Sequence, residues 1–188
     1  MAKAKQKNVN AWKKKKFYTI LAPSNFDEKE LGSTVSADPG LLKGRTIQTS
    51  LAELMDDRRK QHLKITFEID HVEKDKAYTK FKKFMIPVGY LRYKVRKDST
   101  KVDVASDITF ENEKLRLKAM VLSRYKLSEP QRKEISAIAK KHLSEYSKKT
   151  PEQVLQLTLF GKLGTEVYKE CRKIAPINRV EAYHIERL

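Results

Sequence analysis

The sequence predicts an α+β protein. It reads as a mostly antiparallel sheet or a partly closed barrel from the N-terminal two-thirds, three helices in the C-terminal third, a final strand, and a basic tail in front. Three observations lead there. Apolar residues recur at period two in several stretches between residues 17 and 121. Capped stripes at helical period follow residue 127. Strands followed by helices, rather than strands alternating with them, build an α+β fold and not a parallel sheet.

Residues 1–16, MAKAKQKNVNAWKKKK, hold seven lysines and no acid. Such a run has no apolar set to bury and is expected to be disordered in the free protein and ordered only against phosphate. Phe17–Pro23 reads as a short buried strand ended by proline. Ser24–Leu42 holds turn residues with little period and reads as a loop. Gly44–Thr49 is a strand that leads into a short helix over Ser50–Asp57. There Ser50 and Glu53 have capping-box spacing, and Glu53 also suits the helix dipole.

Leu63, Ile65, Phe67 and Ile69 alternate with Lys64, Thr66, Glu68 and Asp70, so this strand has one dry and one wet face. Glu73–Lys76 turns into a second strand, Ala77–Phe84, and the two form an antiparallel hairpin. Pro87–Lys97 reads two ways. Leu91, Tyr93 and Val95 alternate as in a strand, while Leu91 and Val95 sit four apart as in a helix. Val102, Val104, Ile108 and Phe110 make a strand and Glu111–Lys114 a turn. Leu115, Leu117, Ala119 and Val121 return antiparallel, with Arg116 and Lys118 on the opposite face.

Ser128 and Gln131 then open a helix as a capping box, with Pro130 in its first turn. Ile135, Ile138, Ala139, His142, Leu143 and Tyr146 line one stripe of it. Thr150 and Gln153 cap a second helix, which Gly161 stops. Val167, Cys171 and Ile174 stripe a third, which Pro176 ends. Asn178–Leu188 closes as a strand. No Gly/Ser linker divides the chain, and residues 17–188 read as a single domain behind the tail.

Charge bounds the function. Lys and Arg total 41 against 24 Asp and Glu, for a net charge of +17 in 188 residues. Such an excess repels itself in a compact fold until a polyanion neutralises it. One cysteine leaves no internal disulfide and suits a reducing compartment. No apolar run approaches the ~18 residues of a membrane span. A soluble cytosolic protein with no membrane partner is expected.

Catalytic constellations do not assemble. His62, His71, His142 and His184 pair neither with one another nor with Cys171 at metal spacing. Cys171 lies on a helix stripe, where an inert core thiol is favoured over a nucleophile. Phe160–Thr165, FGKLGT, lacks the glycine spacing of a phosphate loop and follows a helix, so it reads as a helix stop and restart. No enzyme, metal or cofactor is expected.

Cations instead crowd the faces that the core pattern leaves free. Lys13, Lys14, Lys15 and Lys16 end the tail. Arg92, Arg96, Lys97 and Lys101 fill one run, with the hydroxyls of Ser99 and Thr100 among them. Arg124, Lys126, Arg132 and Lys133 fill another. Arginine forks and lysine charges bind phosphate, and small hydroxyls reach phosphate or the ribose 2′-OH. Tyr90, Tyr93 and Tyr125 lie among these runs and can stack on bases. Zinc-finger spacing, the aromatic motif of an RRM and a clear helix-turn-helix signal are lacking, so backbone and shape recognition is expected rather than base readout.

Seven segments in order and register carry a resemblance. They are KFYTILAPSNF, LGSTVSADP, LKGRTIQTSLAEL, KQHLKITFEI, AYTKFKKF, VRKDSTKVDV and GKLGTEVYKECRKIAPINRVE. Together they resemble the archaeal branch of the small-subunit ribosomal protein family S3Ae, from about Trp12 to Glu181. The resemblance implies a structural, non-enzymatic protein of the small ribosomal subunit. It implies a place on the platform, near the mRNA exit and the 3′ end of the rRNA. Its partners would be small-subunit rRNA and neighbouring small-subunit proteins, with mRNA and initiation factors near the exit site. It also implies a helix for Val88–Arg96, followed by a basic turn and a strand. The family pattern carries glycine where Asp98 stands. The alternative reading is a free-standing basic RNA or DNA chaperone, which would not need so large a core. A nuclease would need a carboxylate or histidine cluster.

Overall fold

A computed structural model describes residues 15–110 and 113–188, and the lysines at 13 and 14 and most of the expected tail lie outside them. Among the described residues there are eight strands and five α-helices. The chain divides into two compact units, the first ending at Lys82 and the second running from Lys83 to Leu188.

The first unit is built on the hairpin that alternation predicts. Strands β1 (Lys16–Leu21), β2 (Glu30–Ser36), β3 (Thr46–Ser50), β4 (Lys64–Glu73) and β5 (Lys76–Met85) pair in the order β2-β1-β5-β4-β3. Ile65, Phe67 and Ile69 are buried, as the dry face of β4 requires. The β4–β5 turn puts Lys74 in the left-handed region at φ 54°. Tyr18, Ile20, Leu42, Ile69 and Ala77 form a core cluster, flanked by Leu31, Ile47 and Val72. Phe26 meets Phe67 edge-on, with ring centroids 5.6 Å apart. At the start of β1, Phe17 is exposed rather than buried.

Two features of this unit depart from the expectation. The expected loop Ser24–Leu42 contains β2, which pairs antiparallel with β1 from Lys16↔Ser36 to Leu21↔Glu30. As an edge strand it is mostly half-exposed and shows no clean alternation. Gly32, at φ 142°, sits where the register slips by a bulge beside Ile20. The second departure is local. Helix α1 (Leu51–Met55) is capped by Ser50, whose Oγ accepts from the Ala52 N–H at 3.2 Å. Glu53, however, takes the Thr49 hydroxyl at 2.6 Å instead of completing a capping box.

The second unit has β6 (Lys101–Thr109), β7 (Lys114–Ser123) and β8 (Ile177–Arg187), with β7 central and both pairings antiparallel. The last residues of β5 add to β8, from Lys83↔Glu186 to Met85↔His184. The sheet is therefore mostly antiparallel, with β1 and β5 parallel, and it stays open instead of closing into a barrel. Ala119 to Ser123 are all buried, so this end of β7 is covered on both faces, as a central strand under other elements is.

Pro87 opens helix α2 (Val88–Lys94), so the ambiguous segment is helical. Helices α3 (Glu129–Glu145), α4 (Pro151–Leu159) and α5 (Lys162–Cys171) follow. Two of the three predicted capping boxes form, at Ser128/Gln131 and Thr150/Gln153. Gly161, left-handed at φ 72°, separates α4 from α5 and makes FGKLGT the stop and restart that was read. Ile135, Ala139 and Leu143 are buried on α3, and Val167 and Cys171 on α5. Burial pushes the Cys171 thiol up to about 11, which leaves it protonated and inert.

Candidate nucleic-acid interface

Two basic runs that are distant in sequence meet at one corner of the second unit. After α2 the chain turns through residues 95–100 into β6. Ser99 closes this turn on itself. Its Oγ donates to the Arg96 carbonyl at 2.7 Å and accepts from the Arg96 N–H at 3.1 Å. Thr100 then fastens the turn to the segment beyond β7. Its N–H donates to Ser123 Oγ at 2.9 Å, and its carbonyl accepts from the Ser123 N–H at 3.0 Å. Its Oγ1 accepts from the Leu127 N–H at 3.0 Å. Ser123 Oγ also hydrogen-bonds the Tyr125 carbonyl. The corner is thus a stitched junction of residues 96–100 with 123–127.

Arg92, Arg96, Lys97, Arg124, Lys126, Arg132 and Lys133 are exposed. None of the first six has an acidic partner among the described residues, while Lys133 Nζ lies 3.5 Å from Glu129. Lys101 is also committed. Its Nζ is 2.8 Å from Asp103 and 5.7 Å from the Tyr183 ring centre. Ser99 and Thr100 hold the corner together first. Ser99 spends both sides of its hydroxyl on Arg96, whereas Thr100 keeps a hydrogen for an outside acceptor. Lys15 and Lys16 belong to the first unit, at the start of β1.

Aromatic surface flanks the cations. Tyr93 is 82% exposed and Tyr125 is 61% exposed. Lys94 Nζ lies 5.0 Å from the Tyr90 ring centre and 5.6 Å from that of Tyr93, within cation–π reach of both. The exposed Tyr125 ring beside unpaired guanidinium groups is suited to stack a base while the cations take its phosphates. No group of metal-ligating side chains occurs among the described residues. No described helix is long and apolar enough to cross a membrane.

The sequence pattern of the Ribosomal S3Ae family matches residues 3–188. The chain belongs to the Ribosomal S3Ae family. It is 35% identical over 182 residues to the small ribosomal subunit protein eS1 of Methanobrevibacter smithii, covering 96% of this chain and 94% of that one. With the protein of the same name from Archaeoglobus fulgidus it shares 36% over 181 residues, covering 94% and 86% of the two chains. With that of Methanothermobacter thermautotrophicus it shares 34% over 184 residues, covering 96% and 94%. The S3Ae family is one of ribosomal proteins, and this member is not an enzyme.

The glycine that the resemblance leads one to expect where Asp98 stands is not needed for a left-handed backbone here. The positive-φ residues among the described ones lie elsewhere, so aspartate fits the turn. The corner also uses residues that sequence reasoning did not single out. Ser123 is the knot of the junction, yet its local signal is only a polar residue ending an apolar run. Arg179 Nη1 pairs with Glu181 at 2.7 Å, and this hydrogen bond raises the guanidinium's pKa further.

Proposed function

We propose that this chain is a structural constituent of the small ribosomal subunit that holds rRNA through the 92–100 and 124–133 corner. In this reading it works in the cytoplasm, on the platform near the mRNA exit and the 3′ end of the small-subunit rRNA. Neighbouring small-subunit proteins share that site, and mRNA and initiation factors pass it. Residues 17–188 act as its folded domain. The observation that carries the proposal is the corner itself, where two basic runs, without acidic partners among the described residues save at Lys133, are held on a hydrogen-bonded frame. Cations on a frame lose less conformational entropy on binding than cations on a loose segment.

Family membership supports the ribosomal part of the reading, and the +17 charge supports a polyanion as the partner. Sedimentation tests it. The protein should follow the small subunit through high-salt sucrose gradients. A free-standing chaperone would leave the subunit at that salt and stay at the top. Affinity for isolated small-subunit rRNA should also fall with salt, with a log–log slope of about −0.7 to −0.9 per phosphate neutralised. A flat salt dependence would overturn the backbone-contact reading.

A further inference from the structure

Helix α3 and the start of β6 enclose an open groove of about 610 Å³. Two of its cations are already paired, Lys101 with Asp103 at 2.8 Å and Lys133 with Glu129 at 3.5 Å. The other two, Arg132 and Lys140, are exposed and have no acidic partner among the described residues. The groove therefore presents two uncompensated positive charges. They lie eight residues apart on one helix, about 12 Å at 1.5 Å per residue, and so face the same side. Ser136 lies midway between them in the lining.

The rest of the lining decides the class of ligand. Val102 and Ala137 are its apolar members, and neither is large. A docked peptide would find no pocket for the aromatic or aliphatic anchors that dominate protein–protein affinity. A sugar–phosphate backbone needs no such anchor. It needs cations along a line, with a hydroxyl that can donate between them.

We propose that the α3–β6 groove seats one strand of RNA backbone, with Arg132 and Lys140 each on a phosphate and Ser136 between them. This rests on the ribosomal reading above and extends its 124–133 run along α3 as far as Lys140. Lys140 becomes an RNA-contacting residue, while Lys101 and Lys133 serve to hold the groove's two acids neutral.

The test compares the full chain with its Arg132→Gln/Lys140→Gln variant, using isolated small-subunit rRNA as the probe over a salt series. Both positions are exposed and glutamine is a good helix former, so the fold should persist, which a thermal melt checks. Binding should weaken about ten-fold, and the salt slope should flatten by about 1.4 to 1.8. If the parent itself binds no rRNA, the ribosomal reading fails. If the parent binds and the variant keeps both affinity and slope, the groove proposal is overturned while the ribosomal reading stands. Photocrosslinking in intact small subunits provides a readout without mutation. A peptide spanning Arg132–Lys140 should carry rRNA nucleotides. Crosslinks from that peptide to an acidic protein segment alone would overturn the proposal in favour of a protein ligand.

Discussion

Thr100 and Ser123, 23 positions apart, hold each other by reciprocal bonds: Thr100 N–H to Ser123 Oγ at 2.9 Å and Ser123 N–H to the Thr100 carbonyl at 3.0 Å. The clasp joins the entry of β6 to the exit of β7. Every exposed cation of the corner hangs from one side of it or the other. Ser123 is fully buried, so water does not readily take its place.

Ser123→Ala should therefore cost more than a surface change. It leaves the part-buried Thr100 N–H without its acceptor, and an orphaned donor costs up to about 1–3 kcal/mol where it is buried. Urea denaturation should show a lower midpoint with an unchanged slope. RNA affinity measured on the folded variant should fall as well, because the two basic runs lose their common frame. An unchanged midpoint would mean that the clasp contributes nothing to stability.

The cations of the corner should not count equally. Arg96→Gln with Lys97→Gln removes two unpaired charges, and the salt slope of rRNA binding should flatten by about 1.4 to 1.8. Lys101→Gln with Asp103→Asn removes a pair that is already neutral. Its salt slope should match the parent's. A slope flattened by about 0.7 to 0.9 in this second variant would show that Lys101 leaves Asp103 for phosphate on binding.

Gly164 marks a close approach of α5 to β8. A Cβ built there would stand 2.5 Å from the Val180 carbonyl oxygen and 3.3 Å from its carbon, both backbone atoms. Gly164→Ala should destabilise by about 1–3 kcal/mol through overpacking, although alanine is the better helix former. Thermal or urea unfolding reads it. A stabilised variant would show that α5 can shift away from the strand at little cost.

His184 should make stability fall in mild acid. Its Nδ1 is buried without a hydrogen-bond partner, and its Nε2 is 3.6 Å from Glu186. Burial holds its pKa below the ordinary value. Lys118, Lys83 and Arg116 push the same way, and Glu186 opposes them. The unfolded chain, with a histidine pKa of about 6.5, then binds the proton that the folded chain refuses. Stability contributed by neutral His184 is full above that value. It is lost as pH drops from there toward the lower folded pKa. Urea midpoints at about pH 7.5 and 5.5 should differ more in the parent than in His184→Gln. The other histidines are common to both proteins and cancel. Equal pH dependence would show that His184 charges in place.

Much of this protein was legible in the residues because burial on one face leaves a local record. Ile65, Phe67 and Ile69 announce β4 through strict alternation. Capping residues at Ser128 and Thr150 announce helices because the first N–H groups of any helix need an acceptor. The basic runs were equally plain, since charge needs no fold to be counted. The segment Val88–Lys94 is different: period alone left it open, and the family resemblance pointed to the helix that is found.

Tertiary structure decided the rest. β2 exists because β1 offers it a hydrogen-bonding edge, and a half-exposed edge strand leaves no alternation to read. The parallel β1–β5 pairing joins residues 19–21 to 76–78, and no local pattern encodes such a partner. Ser123 and Thr100 look like ordinary small hydroxyls until the sheet brings them to 2.9 Å. Likewise Lys101 looks like one more free cation until Asp103 and Tyr183 surround it. The sequence by itself determined which faces are dry and how much positive charge the protein carries. Which cations remain free for a phosphate was decided by the folded backbone, because Lys101 meets Asp103 along one strand and Tyr183 from β8, and Lys133 meets Glu129 across one helix turn, only once those elements have formed.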